Sequence, residues 1–110
     1  MLGEKYKEKI RNSVYDKFTK MGIDDASIEE LIEISIDSLE EELNNITEIL
    51  NKDELDFLGL HTHTIKGILL NVGLKDDAEE FQEIKHLFEA GKTKEEIKEI
   101  TKNRIAIFKD

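Results

Sequence analysis

Apolar residues recur every three or four positions along nearly the whole chain, and no proline interrupts them. A helix turns about 100° per residue, so this spacing gathers apolar side chains on one side, whereas a strand would need strict alternation. Tyr6, Ile10, Val14 and Phe18 set the pattern, Met21 continues it, and Gly22 offers a stop. Ser27, with Glu30 three residues on, reads as a capping box that opens a second helix. Leu31, Ile34, Leu39, Leu43, Ile46 and Leu50 form its apolar side, and it either runs to about Leu50 or kinks near Ile36 to Ser38.

A third helix, capped by Asp53, is expected to run until Gly73 ends it. A fourth carries Ala78, Phe81, Ile84, Leu87 and Phe88 and stops at Gly91. A fifth opens on the capping box Thr93 and Glu96 and uses Ile97, Ile100, Ile105 and Phe108. Short joints between helices of this length favour antiparallel neighbours. The expected fold is therefore all-α, an antiparallel four-helix bundle with an additional terminal helix, in a single domain over residues 1–110.

Composition narrows the function. With no cysteine there is no disulfide, thiolate metal site or cysteine nucleophile. A formal net charge of -10 presents an acidic field to nucleic acid, so a phosphate-backbone binder is not expected. No apolar run is long enough to span a bilayer, and the opening residues carry charges where a secretory signal needs an apolar stretch, so a cytoplasmic protein without a membrane anchor is expected.

The stretch from Leu58 to Leu74, LGLHTHTIKGILLNVGL, concentrates the candidate chemistry. Its two histidines, His61 and His63, point about 200° apart on a helix and cannot chelate one ion together, as an i, i+4 pair can. Neither metal nor any other cofactor is expected. Glu83 to His86 is the one formal Glu-x-x-His pair, and a lone pair of that kind arises by chance in so acidic a chain. His86 is expected at the surface. His61 falls in a core stripe with Phe57, Leu58, Ile65, Ile68, Leu69 and Val72, and is expected to be buried or half-buried and satisfied by a hydrogen bond.

His63 falls on the other side, between Gly59 and Gly67, with Leu60 and Lys66 flanking it and Asp56 and Leu70 two turns away. A glycine inside a helix costs about 1 kcal/mol against alanine, so two of them ask for a reason. Either they admit a close-packed neighbouring helix, or they let another molecule reach the imidazole. Lys66 favours the second, because a phosphoryl group on a neutral imidazole would bring roughly two negative charges that an ammonium offsets.

The run HTIKGILLNVG resembles the H-x-x-K-G-x-x-x-x-x-G signature of histidine-containing phosphotransfer (HPt) domains, and His63, Lys66, Gly67 and Gly73 fall at the matching positions. The flanking helices are similar too, so the resemblance covers about residues 28–92. It implies that His63 is the phosphoacceptor through Nε2, that Lys66 steadies the phosphoryl oxygens, that Gly67 gives access and that Gly73 ends the helix or permits close packing. It also implies a monomeric phosphocarrier with no ATP site of its own, whose partners are a response-regulator receiver domain and a (hybrid) histidine kinase. Two neighbouring readings are a receiver-binding adaptor that no longer transfers, and the phosphoacceptor domain of a chemotaxis-type kinase.

The sequence departs from the signature after the glycine. Where the family has small residues, this chain has Ile68, Leu69 and Leu70, and Thr62 stands where alanine is common. Ile68 and Leu69 face the core. Leu70 lies on the His63 side, where it either crowds the phosphoryl site or joins Leu60 in an apolar contact for a docking receiver, and the second is favoured.

Overall fold

The computed structural model describes residues 2–81 and 84–110. It contains α1 (Glu4–Thr19), α2 (Asp25–Lys52), a 3-10 turn (Leu55–Phe57), α3 (Leu58–Asn71), α4 (Lys75–Glu79), α5 (Ile84–Glu89), α6 (Lys94–Ile105) and a final 3-10 turn (Ala106–Lys109). No strand occurs among the described residues. None of these helices is long and apolar enough to cross a membrane. The fold is an all-α bundle in which α2 packs against both α1 and α3, and α3 against α4 and α5.

The core follows the helical repeat. Tyr6, Ile10 and Val14 from α1 meet Ile28, Ile32, Leu39, Leu43 and Ile46 from α2, and Leu58, Ile65 and Leu69 from α3 join them in one cluster. Phe108 closes that cluster from the final turn, packing edge-on against Tyr6 at 4.7 Å and stacked near Phe81 at 5.6 Å between ring centroids. The last residues also complete the start of α1: Gly3 N–H donates to Phe108 O at 2.7 Å and Tyr6 N–H to Asp110 O at 2.5 Å. These are amides that a helix N-terminus leaves without a partner of its own. The approach is close enough that a Cβ on Gly3 would lie 2.3 Å from the Lys109 carbonyl oxygen.

Several local expectations need correcting. Asp24, not Ser27, caps α2: its carboxylate accepts the Ser27 N–H at 2.8 Å, so the helix starts three residues earlier. That helix is continuous to Lys52 and passes Ile36 to Ser38 without a break. Asp53 ends α2 instead of opening α3, in the left-handed region at φ 61°, and Glu54 N–H closes back to Ile49 O at 3.1 Å. α3 consequently begins at Leu58 after the 3-10 turn, with no side-chain cap.

Leu31 and Ile34 do not face the core and are 37% and 54% exposed, because the buried line of α2 runs through Ile28 and Ile32 instead. Met21 and Phe88 are likewise exposed. The expected fourth helix appears as the two short helices α4 and α5, with residues 82 and 83 outside the described part. The fifth-helix capping box is present in both directions, Glu96 N–H to Thr93 Oγ1 at 3.1 Å and Thr93 N–H to Glu96 Oε1 at 3.0 Å.

Candidate functional site

α3 is a helix with two unlike sides. Leu58, Thr62, Ile65 and Leu69 are buried, while Leu60, His63 and Leu70 are exposed and Gly59, Lys66 and Gly67 lie between these extremes. Thr62 is the buried polar member of the inner side. Its hydroxyl bonds back to Leu58 O at 3.0 Å and to Gly59 O at 3.2 Å, which lets it sit among apolar neighbours without an unmet donor. Thr64, on the other flank of His63, turns its hydroxyl to Leu60 O in the same way. Both threonines are therefore committed to the helix itself.

The far end of α3 is fastened by α1. Ser13 Oγ donates to Val72 O at 2.6 Å and Lys17 Nζ to Asn71 O at 3.2 Å, which satisfies carbonyls the helix cannot pair internally. Gly73 follows at φ 86°, a conformation that favours glycine, and lets Leu74 N–H reach back to Leu69 O at 2.9 Å. A Cβ there would also stand 3.0 Å from Ser13 Oγ. Gly73 thus ends the helix and admits α1 closely.

The two glycines around His63 behave differently from Gly73. A Cβ built on Gly67 meets nothing within 4 Å, and one on Gly59 meets only Ile84 Cβ at 3.8 Å, an ordinary contact. Among the described residues, no neighbouring helix keeps either position bare. Of the two reasons the sequence left open for them, close packing finds no support among the described residues.

His61 turns inward, and its Nδ1 lies 2.6 Å from Glu42 Oε2 on α2. The two side chains are 23% and 16% exposed, so the pair bridges α2 and α3 at the edge of the core. Beside it Asn45, Glu48, Lys52, Glu54 and Phe57 line a shallow cleft of about 280 Å³. Phe57 was expected in the core stripe and is 58% exposed, because it belongs to the 3-10 turn, to which a 100° step does not apply. Asp56, in the same turn, is exposed.

No group of three or more His, Asp or Glu side chains suited to a metal occurs among the described residues, and Glu83 of the Glu83–His86 pair lies outside them. The site therefore offers an exposed imidazole on a firmly packed helix, an ammonium one turn on, and, at Gly67, a position where a Cβ would meet none of the described residues within 4 Å. A neutral imidazole in that setting is a nucleophile that another molecule can approach.

Comparison with known proteins bears on this arrangement directly. No curated protein and no solved structure matches the chain. A family model described as Hpt domain matches residues 30–107, from the first turns of α2 to the final 3-10 turn, and so takes in α3 with most of α2 and all of α4 and α5, but not α1. Hpt domains serve histidine phosphotransfer in two-component phosphorelays, alongside receiver-domain and kinase partners. The chain belongs to the Hpt domain family.

Proposed function

We propose that this protein is a phosphorelay intermediate that carries a phosphoryl group on His63 and exchanges it with the aspartate of a receiver domain. The observation that carries the reading is the setting of His63: exposed at the middle of α3, with Lys66 one turn on and open space where a side chain at position 67 would stand. Nε2 is the ring nitrogen farther from the backbone and the one a docking partner meets first. In the forward step Nε2 attacks the phosphorus of the receiver's aspartyl phosphate, a P–N bond forms, the acyl P–O bond breaks, and the aspartate leaves as carboxylate. The reverse step regenerates the neutral imidazole. Lys66 offsets the charge that arrives, and a bare Gly67 leaves room for the phosphoryl oxygens.

Asp56, Gly59, Leu60 and Leu70 form the surrounding contact surface for the partner, and His61 serves as a structural bridge to Glu42. The phosphoryl group comes from a (hybrid) histidine kinase or its receiver, and the chain acts as a monomeric single-domain carrier, not as a catalyst with its own ATP site. Incubation with a phosphorylated receiver tests the assignment. Acid-labile, base-stable phosphate is expected on the wild-type chain and on His61→Gln, and none on His63→Gln. Undiminished labelling of His63→Gln removes His63 from this role.

A further inference from the structure

The pair formed by α1 and α2 outruns the helix packed beside it. His61 meets Glu42, and ten residues later Asn71 and Val72 stand beside Leu31, Ile34 and Ser35, so α3 runs antiparallel to α2 and stops short of its start. The first six residues of α2, Asp25 to Glu30, thus continue about 9 Å past the end of α3. Where α3 stops, a groove of about 400 Å³ opens, with Val14 and Phe18 of α1, Leu31 and Ile34 of α2 and Val72 among its walls. Leu31 and Ile34 are exposed there, as is Met21 at the tip of the hairpin. No described helix covers them.

This groove is separate from the surface around His63. The contact between His61 and Glu42 puts α2 on the side of α3 that lies about 200° from His63. An occupant of the groove therefore leaves the imidazole open.

The α2 bank of the groove is acidic. Between Gly22 and Asn51 the chain has ten carboxylates and no Lys, Arg or His. Glu30, Ile34, Asp37 and Glu41 follow one another on one side of α2, so the most exposed apolar wall of the groove stands inside a row of carboxylates. Those three carboxylates are exposed and make no ion pair among the described residues. Like charges at such spacing oppose the helix slightly, so the fold itself gains nothing from the row. On the α1 bank the cations are engaged: Lys17 donates to Asn71 O at 3.2 Å, and Lys20 pairs with Asp16 at 3.3 Å. A second copy of this chain would bring a net charge of -10 and its own acidic row to the groove, which repulsion opposes. A cationic occupant meets the opposite field.

We infer that the groove is a second binding site, behind the phosphoacceptor helix, for a basic amphipathic helix of a partner protein. Its Leu or Ile side chains, spaced by three and four residues, seat on Phe18, Leu31, Ile34 and Val72, and Lys or Arg on one flank meets Glu30, Asp37 and Glu41. Two antiparallel helices with apolar inner walls offer the cleft into which a third helix packs, and apolar anchors at that spacing are what such a cleft recognises. The partner holds the protein from one side of α3 while His63 faces away from it on the other.

The test uses a synthetic Leu/Lys peptide of about five helical turns, apolar on one side, and a twin in which Glu replaces every Lys. Each is titrated into the isotope-labelled full chain at about 0.15 M NaCl and followed by amide chemical shifts. The Lys peptide is expected to bind at least about tenfold more tightly than its twin, with the largest shifts at Phe18, Leu31, Ile34 and Val72. Ile34→Ser, at an exposed position that the fold does not need, should weaken binding about fivefold, whereas Phe88→Ser, which removes an exposed apolar side chain from α5, should not. Equal affinity for the two peptides, shifts centred away from the groove, or equal effects of the two substitutions overturns the inference. So does a concentration-dependent dimer that Ile34→Ser abolishes in sedimentation, because the occupant is then a second copy of the chain.

Discussion

The two ends of α1 open onto regions built on opposite terms. Near its start, Leu2, Tyr6, Phe81 and Phe108 are all at most 5% exposed, the Tyr6 hydroxyl donates to Asp77 at 2.6 Å, and Lys9 pairs with the same carboxylate at 2.8 Å. On the outer sides of α2 and α3, Leu60 and Ile34 are more than half exposed, Gly67 borders open space, and Glu30, Asp37 and Glu41 make no ion pair among the described residues. The first region satisfies every group it buries. The second leaves apolar area, charge and helix propensity unspent within the chain, which is what a surface completed by another molecule looks like. Substitutions in the first should therefore read out as stability, and those in the second as partner binding or transfer.

The sharpest way to break this division is Phe108→Ala. The ring is fully buried between Tyr6 and Phe81, and removing it should cost about 3–5 kcal/mol, a large share of the stability of a small domain. Chemical denaturation should show a lower midpoint, while the molecules still folded transfer phosphate at the wild-type rate. A slowed transfer per folded molecule would mean that the closed end and the open face are coupled.

Tyr6→Phe probes the same end more gently. It removes a hydrogen bond to a charged partner and should cost about 1.5–3 kcal/mol near neutral pH. The sign of its pH dependence follows from the two groups. Burial pushes the Asp77 carboxyl up, but the bonds from Lys9 and Tyr6 outweigh burial and hold it below its ordinary range. Its contribution is complete above that range and is lost as pH falls through the lowered value, so the gap between wild type and Tyr6→Phe should narrow between about pH 5 and pH 2. Burial, with the bond to Asp77, raises the Tyr6 phenol well above its ordinary value, so its contribution is complete below about pH 10 and is lost at higher pH, as the unfolded chain ionises first. Urea midpoints across pH check both limbs.

How much of this was legible in the sequence follows the range of the forces involved. Gly22, Gly73 and Gly91 mark three helix ends, and each has a positive φ of 79°, 86° or 82°, because a helix stop is decided within one turn. The 100° step also separates His61 from His63, one half-buried and the other exposed. It fails for Phe57, where the backbone is not α-helical, and for Leu31 and Ile34, where an apolar side chain faces out although the repeat would let it face in. Asp24 outcompetes Ser27 as a cap because either side chain can serve and only the packed helix decides between them. The contact of Gly3 with Lys109 leaves no local trace at all, since it joins residues more than a hundred apart.

Gly67→Ala turns the comparison around. No described residue contacts the added methyl, so the helix should gain about 0.5–1 kcal/mol and unfold at higher denaturant. If Gly67 serves the approach of a partner, receiver-dependent transfer should fall several-fold in the same variant. A more stable protein that transfers less well sharpens the division of labour, whereas unchanged transfer would show that access does not depend on the bare position.

The smallest effect on stability is expected from Leu70→Ser, at about 0.5 kcal/mol or less, because the side chain is 44% exposed and gives up little burial. Its effect on transfer decides the question raised by the departure from the family signature. If Leu70 is an apolar contact for the receiver, the serine variant loses receiver-dependent transfer while labelling by phosphoramidate continues. If instead Leu70 crowds the imidazole, both reactions accelerate, since a smaller residue two turns from His63 opens the path for small and large donors alike. Rates with the two donors, measured side by side, separate the outcomes, because docking matters to the receiver alone while crowding at Nε2 is felt by every phosphoryl group that arrives there.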